Sequence, residues 1–169
     1  MSDPLRPLKV NAVELLRQPG ATRTIDVELS AAALDVGHPR LAGDVRVSVR
    51  LDALDDGIAV TGRVTAPATG VCRRCLAEQH LPVVAEVAER YQMEVTDEEA
   101  FPIEHGQLDL SPMVRELLLL ELDAEVQCRD DCRGLCPVCG VDRNVESCVC
   151  DTEVRDERWA ALADIELDD

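Results

Sequence analysis

CRDDCRGLCPVCGVDRNVESCVC, residues 128–150, holds six of the chain's eight cysteines. They fall as Cys128-Arg-Asp-Asp-Cys132, Cys136-Pro-Val-Cys139 and Cys148-Val-Cys150, and an upstream pair, Cys72-Arg-Arg-Cys75, completes the set. Four thiolates around a d10 cation close a tetrahedral site, and pairs two to four residues apart let one turn supply two ligands. Eight is the number that two such sites need. The stretch contains Gly and Pro but little hydrophobic periodicity, so local burial cannot organise it. A bound metal is expected to do so.

Cys136-Pro-Val-Cys139-Gly140 has the form of a zinc-ribbon knuckle, in which the Pro and the trailing Gly let the backbone fold over the ion. It pairs with Cys148 and Cys150 across an eight-residue loop whose closure costs little entropy. Cys72, Cys75, Cys128 and Cys132 then form the other site, tying the strand region to the start of the cysteine segment. A second partition takes Cys132 into the knuckle site and leaves Cys128 or Cys150 free. Two structural zinc ions are the expectation. The alternatives are a redox-sensing zinc switch, since thiolates near arginines are reactive when exposed, disulfides, or an iron–sulfur cluster. Catalytic zinc is disfavoured, because it needs an open coordination position and usually His or carboxylate ligands. His38, His80 and His105 fall in expected turns or loops and read as surface residues rather than ligands.

Outward from the cysteines, the chain is 169 residues long with a net charge of −17 and only three aromatic residues, Tyr91, Phe101 and Trp159. The core must therefore be Val, Leu, Ala and Ile. An acidic surface repels phosphate backbones at long range and favours basic partners or solubility. Sixteen of the cations are Arg and one is Lys9. Arg73, Arg74, Arg129, Arg133 and Arg143 lie inside or between the cysteine pairs, either to offset thiolate charge or as a local basic platform. No secretory signal or 18-residue apolar run is present, so a cytoplasmic protein is expected, where dense cysteine more often means metal than disulfide. There is no glycine-rich phosphate loop, GxSxG or HExxH motif, and the Asp97-Glu98-Glu99 carboxylates read as a solvated run, so neither an enzyme nor a small-molecule substrate is expected.

Val10–Leu16 is a short amphipathic segment. Thr24–Leu29, Val45–Leu51 and Ile58–Thr65 alternate as strands, the last two joined as a hairpin through Asp55-Asp56-Gly57. Pro67 is expected to end that hairpin. Leu81–Tyr91 reads as a further strand, and Met93–Gln107 as an acidic surface loop. Ser111-Pro112 starts a helix to about Leu122, with Ser111 as N-cap and Pro112 at the first helical position. A last helix is expected over Glu153–Ile165.

Taken with CRRCL at 72–76 and LDLSPMVRELLLLEL, the run DCxGLCPxCGxxxN resembles the YceD family, bacterial proteins linked to accumulation of large-subunit ribosomal RNA. The resemblance spans about residues 24–165. Gly140 and Asn144 fit the pattern, and Arg143 stands where many relatives carry Leu. The resemblance implies a role in synthesis, processing or stability of the large (23S) ribosomal RNA. Family members are often encoded beside a zinc-binding large-subunit ribosomal protein, and some lack the knuckle pairs, which makes the Cys136 site a stabilising addition. The expected architecture is α+β: an antiparallel sheet or partial β-barrel with a packed helix in residues 1–127, and a zinc-stabilised module with a C-terminal helix in 128–169. The expected function is a non-enzymatic ribosome biogenesis factor that binds a basic ribosomal protein or precursor RNA and no membrane. A zinc–thiolate redox regulator is the competing reading.

Overall fold

The alternation at Val45, Val47, Val49 and Leu51 marks the centre of the sheet. In the computed structural model, which describes residues 3–18, 20–96, 100–152 and 158, all four are buried on one face of β3 (Val45–Ala53). β3 pairs antiparallel with β2 (Thr22–Leu29), Ile25 opposite Val49, and with β4 (Gly57–Val71), Leu51 opposite Val60. Next to β4 lies β5 (Glu78–Gln92), and the link through residues 72–77 is too short for anything but an antiparallel return. With β6 (Phe101–Pro102) beyond β5, the five-stranded order β2-β3-β4-β5-β6 leaves β2 and β6 as edges, so the sheet is open and not a closed barrel.

Pro67 does not end β4. Pairing with β3 stops at Thr65, before the residue that has no N–H to give. Residues 40–42 take over that edge, with Ala42 N donating to Pro67 O (2.9 Å) and Thr69 N to Arg40 O (2.8 Å). The strand thereby reaches Val71 and delivers the chain to the first cysteine pair.

The acidic stretch after β5 is not simply a surface loop. Phe101–Pro102 forms β6, which runs parallel to the end of β5 with Tyr91 opposite Phe101 and their rings stacked at 5.2 Å. Tyr91 is the one fully buried aromatic among the described residues; its hydroxyl donates to Asp109 O (3.3 Å). A tight turn at His105-Gly106 then returns the chain into β7 (Gln107–Asp109), antiparallel to β1 (Lys9–Asn11). The expected amphipathic segment is split between β1 and the short α1 (Ala12–Leu16), where Asn11 Oδ1 accepts from Glu14 N.

α2 (Ser111–Asp123) lies against β5 and buries Met113, Val114, Leu118 and Leu122. Its N-cap is Leu110, not Ser111, which is already helical; Asp109 Oδ1 accepts from Ser111 N at 2.9 Å, and the Ser111 hydroxyl is buried without a partner among the described residues. At the other end the Arg40 guanidinium donates to Leu122 O and to Ala124 O (2.7 Å). A cation on carbonyls left free at a helix C-terminus is favourable both as a hydrogen bond and toward the helix dipole.

The chain divides into two compact units, one made of the residues up to Gly70 with Glu78–Glu125, the other of Val71–Ala77 with the residues from Val126 on. The second unit thus includes the loop between β4 and β5 as well as the cysteine-rich segment. The expected helix over Glu153–Ile165, with Trp159, lies outside the described residues. No helix among the described residues is long and apolar enough to cross a membrane.

Candidate metal centres

The two CxxC turns share one backbone geometry. At the first, Leu76 N donates to Cys72 O and Cys72 N to Ala77 O, both at 2.9 Å. At the second, Gly140 N donates to Cys136 O and Cys136 N to Val141 O, also both at 2.9 Å. The residue after the second cysteine is left-handed in each: Gly140 has φ 75° and Leu76 φ 59°. That conformation costs a glycine nothing and a leucine on the order of 1 kcal/mol or more. Leu76 nonetheless holds it with its side chain largely exposed.

These turns are brought to the rest of the cysteine segment by main-chain bonds. Arg73 N donates to Val126 O (2.9 Å) and Leu135 N to Arg74 O (2.8 Å). Gly134 allows the second contact: its φ is 69°, and a Cβ there would lie 2.8 Å from Arg74 O. Leu135 and Asp142 then form an antiparallel bridge, and Arg143 N donates to Gly134 O (3.0 Å).

The result is two sulfur tetrads. Cys72, Cys75, Cys128 and Cys132 form one and Cys136, Cys139, Cys148 and Cys150 the other, the sulfurs of each lying within 4.8 Å of one another. In the first, Cys72 and Cys132 Sγ are 3.9 Å apart and Cys75 and Cys128 Sγ 3.7 Å. A tetrahedron with metal–sulfur bonds of about 2.3 Å has edges of about 3.8 Å, so the donors fit a thiolate-bound cation. All eight cysteines are free thiols, and the two tetrads could each hold a metal ion. The first tetrad is the more enclosed: three of its cysteines are buried, whereas in the second only Cys136 is, and Cys139 is exposed. No histidine joins either tetrad. His80 and His105 are exposed, and His38, half-buried, meets Asp123 through Nε2 at 3.2 Å.

The thiols of one tetrad are not alike. N–H groups of Cys75 and then Cys128 point at Cys72 and hold it down at about 6. The N–H groups of Cys139 and Val138 do the same for Cys136, also at about 6. Burial first, then its neighbouring sulfurs, pushes Cys128 up to about 12. The Cys139 sulfur, then burial, raises Cys150 to about 12. Burial opposes ionisation of Cys132, but the Gly134 N–H and the Asn144 carboxamide bring it below the usual thiol value. Each tetrad therefore pairs a preformed thiolate with a reluctant thiol, and a divalent cation held there would supply the charge that ionises the latter.

Asn144 is the functional residue whose role spacing alone did not reveal. Its Nδ2 lies 3.5 Å from Cys132 Sγ and 2.7 Å from Asp142 Oδ1, while its Oδ1 accepts from Arg133 N (2.8 Å) and Arg129 Nη2 (2.9 Å). Its place in the DCxGLCPxCGxxxN run was the only signal. Elsewhere, a cleft of about 470 Å³ is lined by Leu54, Asp55, Asp56, Gln92 and Glu94, but Asp56 already meets Arg90 at 3.4 Å. Among the described residues no third group of metal-ligating side chains exists.

The family model for the large ribosomal RNA subunit accumulation protein YceD matches residues 60–166, a span that holds all eight cysteines. An uncharacterised protein of Mycobacterium tuberculosis is 32% identical over 170 residues, covering 94% of this chain and 81% of that one. An uncharacterised protein of Mycobacterium leprae is 26% identical over 171 residues, 95% of this chain and 78% of its own. A protein of Arabidopsis thaliana, named as a chloroplastic large ribosomal RNA subunit accumulation protein homologue, is 32% identical over 65 residues, 38% of this chain and 20% of its own. No solved structure is significantly similar to the chain.

Proposed function

The chain belongs to the YceD family, and from that premise we propose that it is a non-enzymatic ribosome biogenesis factor supporting accumulation of the large-subunit (23S) ribosomal RNA. One observation carries the reading: the family match, residues 60–166, takes in all eight cysteines of both tetrads. On this reading the eight cysteines hold two structural zinc ions. Cysteine-only donor sets with every corner filled by protein leave no open position for a substrate. The partner is a basic ribosomal protein or precursor ribosomal RNA, met in the cytoplasm where ribosomes are assembled. The net charge of −17 favours the former at long range.

Deleting the gene tests the function. The expected result is a fall in large-subunit relative to small-subunit ribosomal RNA, restored by the intact chain and not by Cys72→Ser. An unchanged ratio overturns the reading. Elemental analysis of the purified, reduced protein tests the metal, with two zinc ions per chain expected.

A redox-regulated zinc site is the second reading, and the exposure of Cys139 with half-buried Cys148 and Cys150 favours it. Thiolates at an open site oxidise faster than enclosed ones. Loss of one of two zinc ions under mild peroxide supports it; retention of both rejects it.

A further inference from the structure

We propose that Arg74, Arg133 and Arg143 together form a phosphate-binding face of the second unit, through which the protein holds structured RNA by its backbone. The inference deepens the proposed function and rests on it for the kind of nucleic acid. Two stretches of the cysteine segment and one from the remote β4–β5 loop meet at Gly134. Arg133 precedes it, Arg74 O accepts from Leu135 N at 2.8 Å, and Arg143 N donates to Gly134 O at 3.0 Å. A Cβ placed on Gly134 would lie 3.3 Å from the Cβ of Arg74. Arg74 and Arg133 are exposed and Arg143 is half-buried.

None of the three guanidinium groups has a hydrogen-bond or ion-pair partner among the described residues. The carboxylates closest to them in sequence are already engaged. Asp131 meets Arg129 at 3.3 Å, and Asp142 accepts from both N–H groups of Asn144, at 2.9 and 2.7 Å. None of the three donates to a cysteine sulfur among the described residues. The polar side chain on Cys132 is Asn144 instead, at 3.5 Å.

Charge decides what such a face accepts. Residues 71–77 and 126–152 hold five arginines and five carboxylates, and two filled tetrathiolate centres would add −4, still far from the formal −17 of the whole chain. Acidic groups more than about 8 Å away are largely screened at physiological salt, so a local trio of guanidiniums can outweigh the global sign. The planar guanidinium fork fits phosphate oxygens two at a time. The same residues include no Phe, Tyr or Trp, so no aromatic platform for stacking unpaired bases is available there. Recognition is therefore of backbone and shape, as with double-helical RNA, rather than of sequence.

The test uses the full-length, zinc-loaded chain and a labelled helical fragment of large-subunit ribosomal RNA, with affinity followed against salt. Each lost phosphate contact lowers the slope of log K against log salt by about 0.7–0.9, so the triple Arg→Ala variant is expected to lose about 2–3. The triple Arg→Lys variant keeps most of the slope, and Arg46→Ala with Arg50→Ala, whose guanidiniums meet Asp26 and Asp52, leaves it unchanged. If the triple alanine variant loses zinc, the exposed single variants Arg74→Ala and Arg133→Ala carry the test, each losing somewhat less than 1.

An unchanged slope in the alanine variants overturns the inference and leaves the proposed function standing. Binding of polyglutamate instead of RNA through these arginines overturns it in favour of an acidic protein. Binding of a basic ribosomal protein alone overturns it as well. The proposed function fails separately, if gene deletion leaves the ribosomal RNA ratio unchanged.

Discussion

Asn144 belongs to the loop that spans the second tetrad, yet its carboxamide nitrogen lies 3.5 Å from Cys132 Sγ, a member of the first. The same side chain accepts from Arg133 N at 2.8 Å. The two tetrads are therefore neighbours in hydrogen bonding as well as in sequence. Disturbing the loop of one disturbs a sulfur of the other.

Asn144→Ala is expected to weaken metal binding at the first tetrad, not the one whose loop it occupies. Loss of a hydrogen bond to a ligand costs typically 10–100-fold in affinity. Metal release to a chromophoric chelator, compared between the unaltered chain and Asn144→Ala and assigned to the first site by its absence in Cys75→Ser, measures it. An unchanged release rate would show that the contact to Cys132 carries no weight.

The left-handed positions separate space from conformation. Gly134→Ala is strained and also meets Arg74 O at 2.8 Å, so a loss of roughly 2–3 kcal/mol is expected. Gly140→Ala is strained but has nothing within 4 Å, and about 1 kcal/mol is expected. Leu76→Gly relieves strain and is expected to be neutral or slightly stabilising. Denaturant unfolding of the zinc-loaded variants gives the order; Gly140→Ala costing as much as Gly134→Ala would contradict it.

Metal uptake is expected to release between one and three protons per ion near about pH 7.5, not four. Cys72 and Cys136, at about 6, are already thiolates there, while Cys128 and Cys150, at about 12, still carry their protons. The sign follows. Thiols held low add stability to the metal-free fold that is present above their unfolded value and lost as pH falls through about 6; protons and metal compete for the same sulfurs, so metal affinity falls as the pH is lowered. Calorimetry in buffers of different ionisation enthalpy counts the protons.

Tyr91 is the only tyrosine, so phenolate absorbance reports it alone. Burial first, then Asp109 and Glu89, raises its ionisation well above the usual value. A group raised in this way favours the fold below its unfolded value near 10, and that contribution fades as the pH climbs further. The phenolate signal is therefore expected to appear together with unfolding, seen by circular dichroism, rather than as a separate step near pH 10.

What could be read from residues alone followed from short-range chemistry. Alternation at Val45–Leu51 and the Asp55-Asp56-Gly57 turn specify a hairpin locally, and cysteine spacing specifies which turns can supply ligand pairs. Pro67 misleads because its missing N–H ends one pairing but not the strand; residues 40–42, remote in sequence, replace the partner. Phe101 joins the sheet through Tyr91, a pairing that no local period encodes. Arg40 reaches Leu122 and Ala124 across more than 80 positions, and Asn144 reaches Cys132 through a folded loop. Such contacts exist only once the chain has closed on itself.

The first tetrad has a consequence for how the protein is made. Cys75 and Cys128 are 53 positions apart, so at about 5–20 residues per second the early pair waits some 3–10 s during translation for its counterparts. Until then it is a two-thiol half-site that grips a cation weakly. A metal ion bound at this tetrad is thus captured only after Cys128 and Cys132 are added, and a nascent chain released before then leaves the ribosome with its first metal centre half built.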